Sequence, residues 1–310
     1  MNFPSRLLTI ILMFGAAGIL IAALIGYAAW EASTYRITAL VDRDAPEGLI
    51  FISDPHVRPE NINQVREIVK EINRLQPSIV LIGGDFLYGS VEDPSFLELW
   101  KEIDAPVYAV LGNHDYLTGI RGSGAEGRVA WILESILRSR GDDTSRFYSD
   151  DPDLASAEVI ERILEQNGIR VLRNEAVDLT LNGTRTIIVG VDDVWAGRAY
   201  PPSISDTDAY TIYLVHEPLV REEWNADLVL SGHTHGGQVN HALFSVLDQL
   251  DIIDIRELSW KGETPLYVSR GIGTSTFRHE YRFFTLPEIV VINPSGGLKP
   301  GWTNLPVSSS

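Results

Sequence analysis

The chain contains no cysteine. Disulfides, thiolate metal sites and lipoprotein-type acylation are therefore excluded. The redox compartment stays open, because a cysteine-free protein tolerates either side of a membrane. Basic residues are scarce too: 25 Lys and Arg stand against 42 Asp and Glu, a formal net charge of -17. A nucleic-acid scaffold needs a basic stripe, so none is expected. Simple electrostatic adhesion to anionic lipid is disfavoured for the same reason. The negative balance reads as solubility, or in part as a counter-charge to bound divalent cations. No G-x-x-x-x-G-K-[ST] sequence occurs, so a P-loop ATPase is not supported. There is no twin-arginine pair and no internal repeat.

The 310 residues suffice for one large domain and a short appendage. Hydrophobic content of 45% and charged content of 22% are ordinary for a globular chain. The appendage is the charge-free run from Leu7 to Trp30, 24 residues long. A helix needs about 20 residues to cross the hydrocarbon core of a bilayer. Gly15, Gly18 and Gly26 are compatible with such a helix, and Tyr27 and Trp30 sit where an interfacial belt would place them. A cleaved signal peptide is the alternative. Its apolar region would be about 7 to 15 residues, and Gly26-Tyr27-Ala28 is a weak cleavage pattern. The expectation is a single-pass anchor over residues 1–34 and a catalytic domain over 35–310. Arg6 ahead of the segment favours an inside N-terminus with the domain extracytoplasmic.

Beyond the anchor, short apolar runs alternate with helical spacing. Strands are expected at 35–40, 48–53, 78–82 and 106–111. Ile62, Val65, Ile68, Val69, Ile72 and Leu75 recur at helical spacing, with Asn61 as the expected cap and Pro77 beyond the end. A further helix is expected around Ser95 to Lys101. Residues 118–128 and 141–153 read as exposed loop or small cap, flanking a helix over 128–140. A helix over 154–166 stops at Asn167-Gly168. Strand-like runs then crowd the second half, at 169–172, 176–181, 186–191, 211–215, 228–230, 266–269 and 288–293. Asn182-Gly183 is a hairpin signal. Two packed sheets with helices outside are expected.

Five segments carry the chemistry: Asp54-Pro55-His56, Gly83-Gly84-Asp85, Gly112-Asn113-His114-Asp115, Val215-His216-Glu217 and Gly232-His233-Thr234-His235. They hold five of the seven histidines. Each follows an expected strand, and in open α/β sheets ligands bind at the carboxyl ends of strands. Asp, Asn and Gly at strand ends could be structural caps alone, but caps do not explain the accompanying imidazoles. Oxygen and imidazole donors suit hard or borderline divalent metals. Two such ions about 3.5 to 4 Å apart can clamp the attacking and leaving oxygens of a phosphoryl displacement.

The order D-x-H, G-D, G-N-H-D, H, G-H-x-H resembles the calcineurin-like metallophosphoesterase superfamily, over roughly residues 48–293. Gly232 to Gln238, with Tyr267 to Gly273, resembles its bacterial membrane-anchored YaeI/YkuE-like branch. The resemblance implies an α/β/β/α two-sheet sandwich behind one N-terminal transmembrane helix. It implies two divalent metal ions, Mn, Fe or Zn, with Mn favoured. Asp54, His56 and His235 would hold the first ion, Asp85 would bridge, and Asn113, His216 and His233 would complete the second site. His114 would not be a ligand; it would reach the phosphoryl group or protonate the leaving oxygen, with Asp115 orienting its ring.

The expected function is a membrane-anchored hydrolase of phosphodiester, pyrophosphate or phosphomonoester bonds, with a lipid-linked substrate such as UDP-diacylglucosamine. A broad phosphomonoesterase or nucleotidase, or a non-catalytic metal-stabilised binding protein, are the alternatives. Asp192-Asp193 read as pocket lining or a turn. Arg270 and Arg278 read as phosphate grips or salt-bridge partners. Trp195, Trp224 and Trp260 read as stacking surfaces or core. Phe277, Tyr281, Phe283 and Phe284 with Arg278 and Arg282 read as lipid contacts or a strand edge, and His241 as a surface histidine or, alternatively, a group supporting the ligands or the substrate.

Overall fold

The computed structural model describes residues 3–88, 94–120, 124–138, 144–148, 151–205, 208–237, 255, 257–275 and 281–307. His241, Phe277 and Arg278 lie outside them. Four helices are described: α1 (Phe3–Ser33), α2 (Ile62–Leu75), α3 (Gly124–Arg138) and α4 (Leu154–Gln166). The strands β1 (Arg36–Val41), β2 (Leu49–Ile52), β3 (Ile79–Gly83), β4 (Val107–Val110) and β5 (Ile169–Val171) come from the first half. The second half supplies β6 (Glu175–Leu181), β7 (Thr184–Gly190), β8 (Tyr210–Leu214), β9 (Leu228–Ser231), β10 (Glu257–Lys261), β11 (Thr264–Val268), β12 (Glu288–Ile292) and β13 (Thr303–Pro306).

These strands make two mixed sheets, one ordered β13-β1-β12-β2-β3-β4-β5 and the other β10-β11-β9-β8-β7-β6. The expected sandwich is what forms. The apolar runs are continuous because both faces of the central strands are covered. In β2, Leu49 and Phe51 face a core shared with Ile212, Leu214, Leu228 and Leu230 of the second sheet. Their neighbours Ile50 and Ile52 pack on the other side against Val65, Ile68 and Ile72 of α2. Successive strand residues point to opposite faces, so one four-residue segment serves both cores. The outer face of the second sheet, with Val189, Tyr213 and Val229, buries Trp224 among the described residues.

Two details differ from expectation. Asn61 stands at the α2 N-cap, but its side chain makes no cap bond. Its Nδ2 donates instead to the carbonyls of Pro55 (3.1 Å) and His56 (3.2 Å), and its Oδ1 accepts from Arg58 N at 2.9 Å. The residue ties the Asp54–His56 loop to the helix. Strands β10 and β13 were not expected: β10 pairs antiparallel with β11, and β13 runs parallel to β1 at the sheet edge. The hairpin at Asn182-Gly183 is as expected, with both residues at positive φ and Leu181 opposite Thr184.

Helix α1 contains a candidate membrane span, Leu12–Ser33, by length and composition, with a mean hydropathy of 2.1. Phe14, Ile19 and Leu20 are among its exposed apolar side chains. Its last two turns behave differently, because Ala28, Glu31 and Ala32 are buried against the rest of the protein.

Candidate metal centre

The five motifs converge. Each lies just beyond the carboxyl end of β2, β3, β4, β8 or β9. Asp54, His56, Asp85, Asn113, His216 and His235 are buried, while His114 and His233 are half-buried, so the centre opens to solvent on that side.

Two clusters share one carboxylate. Nε2 of His56 and Nε2 of His235 face each other at 3.1 Å, and Asp54 Oδ1 lies 3.5 Å from His235 Nε2. In the second cluster, Asn113 Oδ1 is 3.2 Å from His216 Nε2 and 3.0 Å from His233 Nδ1, and the two ring nitrogens are 3.2 Å apart. Asp85 sits between them. Its Oδ2 is 3.4 Å from His56 Nε2 and 3.2 Å from His216 Nε2, and is buried without a conventional hydrogen-bond partner. Its Oδ1 accepts from the His114 backbone N–H at 2.9 Å.

Other contacts fix which ring nitrogen faces inward. His216 Nδ1 is 2.7 Å from the Gly83 carbonyl and His235 Nδ1 is 3.1 Å from the Gly273 carbonyl. A carbonyl can only accept, so each Nδ1 carries a proton and its Nε2 faces into the centre. Such outer partners orient metal-ligating histidines generally.

The electrostatics suit cations. Burial raises Asp54 to about 6, with the Asp85 charge adding to the effect. Burial also lowers His56 to about 3 and His235 well below the usual imidazole range. Burial works against Asp85 too, yet His216, His114 and His56 hold it well below the usual carboxylate range. Conversely, Asp85 raises His216 well above its ordinary value despite burial. Buried donors, crowded ring nitrogens and an unpartnered carboxylate oxygen together fit bound divalent metal. Among the described residues, three groups have donor atoms close enough to hold an ion: Asp54-His56-His235, His56-Asp85-His114 and Asp54-Asp85-His216.

A family model described as Calcineurin-like phosphoesterase matches residues 49–237. The chain belongs to the calcineurin-like phosphoesterase family. It is a metal-dependent phosphoester hydrolase, and its family uses a divalent metal centre. Phosphodiesterase YaeI of Escherichia coli is 27% identical over 259 residues, covering 79% of this chain and 82% of that protein. An uncharacterized metallophosphoesterase of Aquifex aeolicus is 28% identical over 261 residues, covering 79% and 83%. The Bacillus subtilis metallophosphoesterase YkuE is 25% identical over 262 residues, covering 78% and 77%.

Asp115, expected beside the His114 ring, bonds to backbone amides. Its carboxylate accepts three backbone N–H groups, from Asp85 (3.0 Å), Phe86 (2.9 Å) and Gly112 (2.9 Å). It fixes the loop that carries Asp85. Burial and the Asp85 charge raise Asp115 to about 7. The His114 ring instead stacks on Tyr88 (centroids 5.8 Å apart) and meets the edge of His56 at 4.8 Å.

Asp192 accepts from Tyr116 Oη at 2.5 Å and pairs with Arg173. Asp193 accepts from Ala196 N, and burial with the nearby Glu217 pushes it well above the carboxylate range. Both therefore build the turn that carries Trp195. That indole meets the edge of His233 at 4.2 Å and stacks on Tyr148. Arg270 is committed to Glu257 at 2.6 Å, and Trp224 stacks on Tyr213 in the core. Sequence reading passed over Arg58, whose guanidinium lies 4.6 Å over Tyr88, and Tyr88 itself. Their proximity to the Asp54-Pro55-His56 and Gly84-Asp85 motifs was the available signal.

Proposed function

We propose that the protein is a membrane-anchored binuclear phosphoesterase, with residues 1–34 as anchor and linker and 35–310 as catalytic domain. The buried, unpartnered Asp85 Oδ2 between two imidazole nitrogens carries this reading, because a carboxylate so placed can bridge two cations. Asp54, His56 and His235 hold one ion, Asn113, His216 and His233 the other, and Asp85 joins them. Bound there, the ions supply Lewis acidity that activates water and neutralises phosphoryl charge. Nitrogen and oxygen donors without sulfur favour Mn over softer choices, with Fe and Zn also accommodated.

The chain's own residues set up the reaction. His114, half-buried at the mouth and fixed through its backbone to Asp85, donates a proton to the leaving oxygen. Asn113 contributes a carbonyl donor without charge, limiting repulsion against the substrate. Tyr88 holds one face of the His114 ring. The wall formed by Trp195 beside His233 excludes water from one side.

The name of the YaeI relative supports a diester bond as the target. The candidate span in α1 supports a lipid-linked substrate, of which UDP-diacylglucosamine is one, with the catalytic domain extracytoplasmic by the Arg6 argument. The test is hydrolysis of bis-p-nitrophenyl phosphate and p-nitrophenyl phosphate by the full chain in detergent, with and without Mn. Turnover that needs metal and disappears in Asp85→Asn is expected, with the diester preferred. Preference for the monoester selects the phosphomonoesterase reading. Two bound ions with no hydrolysis of either ester, or of a lipid pyrophosphate, would leave a binding protein.

A further inference from the structure

The end of α1 is joined to the metal centre. Ala28 O accepts from the backbone N–H of Arg282 at 3.2 Å, and the Glu31 carboxylate accepts from Phe284 N at 2.6 Å and from Tyr27 Oη at 2.8 Å. Gln64 of α2 donates to Ala32 O. Arg282, fully buried, turns inward from this junction. Its Nη1 donates to the carbonyls of Arg270 (2.8 Å) and Thr285 (3.0 Å), and its Nη2 to those of Gly271 (3.2 Å) and Gly273. The Gly273 carbonyl is the one that orients His235. One arginine side chain therefore spans the distance from the helix junction to a candidate ligand, ending 3.5 Å from His235 Nδ1.

On the outer side of the same junction lies an aromatic collar. Tyr27 packs against Trp30 (5.8 Å), Phe283 (6.2 Å) and Phe284 (5.9 Å). Trp30 is 55% exposed and Phe284 65% exposed. Among the described residues of the collar the one acid, Glu31, is buried and takes up two donors, so it presents no charge outward. The collar continues directly into the exposed apolar side chains of α1, including Leu24 and Ile25. Phe284 holds positive φ, which a bulky residue adopts only against resistance; the Glu31 bond to its backbone maintains it. A packed core gains nothing from that arrangement, since the ring it presents is exposed.

We propose that Tyr27, Trp30, Phe283 and Phe284 form a seat lying in the headgroup region of the bilayer, so that the catalytic domain touches lipid through its own 283–284 loop and not through the helix alone. Aromatic rings with an apolar body are favoured at that depth. The seat holds at the membrane surface the junction that Arg282 links to the Gly273 carbonyl and His235. This rests on the reading of α1 as a membrane span.

The absence of cysteine makes the test direct, because any introduced thiol is unique. Phe284→Cys, Ile19→Cys in the middle of α1 and Leu298→Cys on the exposed 294–300 segment are each labelled with bimane in the full chain. The labelled chains are reconstituted in nanodiscs with and without brominated phosphatidylcholine. The expected result is strong quenching at position 19, quenching and a blue shift at 284, and neither at 298. Quenching at 19 with 284 indistinguishable from 298 overturns the seat while leaving the anchor intact. No quenching at 19 removes the anchor and the seat together. As a second measurement, Phe283→Ser with Phe284→Ser retains Mn-dependent hydrolysis of the soluble diester in detergent, and its loss there assigns the loop to the centre's architecture rather than to lipid.

Discussion

Replacing Asp115 by Asn separates the two roles that this residue type could play beside His114. In the structure both oxygens are used: Oδ2 accepts from Asp85 N and Gly112 N, and Oδ1 from Phe86 N. An amide has one oxygen, which keeps the two-donor side. Its NH2 then faces the Phe86 N–H at about the same separation, and two donors abut. The variant thus loses one charge-assisted bond and leaves one buried N–H unsatisfied, a cost of about 1–3 kcal/mol. Each kcal/mol lowers the midpoint of thermal unfolding by about 2–4 °C for a domain of 150–250 residues. Because the affected amides belong to the loop carrying Asp85, bound metal should fall in parallel.

The assay is thermal unfolding of the full chain in detergent, with metal content and diester hydrolysis measured on the same samples. Asp115→Asn should unfold earlier and hold less metal. His114→Gln, at a half-buried ring, should keep the wild-type midpoint and metal content while losing turnover. The reasoning fails if Asp115→Asn unfolds with the wild-type protein and keeps its metal, yet loses turnover as His114→Gln does. Asp115 would then act through the ring after all.

Gly112→Ala should strip metal from a folded protein. A Cβ there would meet the Asp85 carboxylate directly, with Asp85 N and His216 Cε1 both at 2.7 Å. Overpacking of this kind costs about 1–3 kcal/mol, so elemental analysis should show lost Mn while circular dichroism keeps its native shape; full Mn occupancy would count against the ligand assignment. Metal affinity should also fall with acid. Asp54, raised to about 6, and His216, raised well above its ordinary value by Asp85, both hold protons that an incoming cation must displace. Below the Asp54 value, each pH unit therefore weakens Mn binding by about tenfold or more. Titration calorimetry at pH 5, 6 and 7 checks the slope, and a flat response would exclude Asp54 as a ligand.

The candidate centre was readable because its donors are chemically distinctive and each follows a strand that is apolar on both faces. Leu49–Ile52, Ile79–Gly83 and Leu228–Ser231 announce buried strands, and the donors sit two to four residues beyond them. What could not be read depends on partners without sequence signatures. Asp115 binds backbone amides, which any sequence supplies. Asn61 carries a cap residue's identity, but its amide finds the Pro55 and His56 carbonyls instead of the helix N-terminus. Glu31 and Phe284 meet across 253 residues of chain. Strand β13 ends on Pro306, which demotes a segment to an edge, and the edge beside β1 is where it lies. For β10 the weak signal was Gly262, at positive φ in the turn to β11.

Backbone conformation favours donor sites over mere turns here. Asp54, His56, Asp85, His233 and His235 all have positive φ, from 42° to 71°. For residues with a Cβ, that region costs roughly 1–2 kcal/mol each, and Gly occupies it freely. Turns that only had to reverse the chain would place Gly or Asn there, as Asn182-Gly183 does between β6 and β7. Here the strained positions are occupied by Asp and His, while the glycines stand beside them at Gly84, Gly112 and Gly232, where a Cβ would strike a neighbouring donor or its backbone. The surrounding bonds hold the strain in place: Asp54 N to Gly84 O, His56 N to Asp85 O, and His233 N to the Asp54 carboxylate. Those bonds join one strained donor to another motif in every case, so these three loops support each other. A strand end that served only as a cap has no reason to retain a strained imidazole; a centre that needs its nitrogen does.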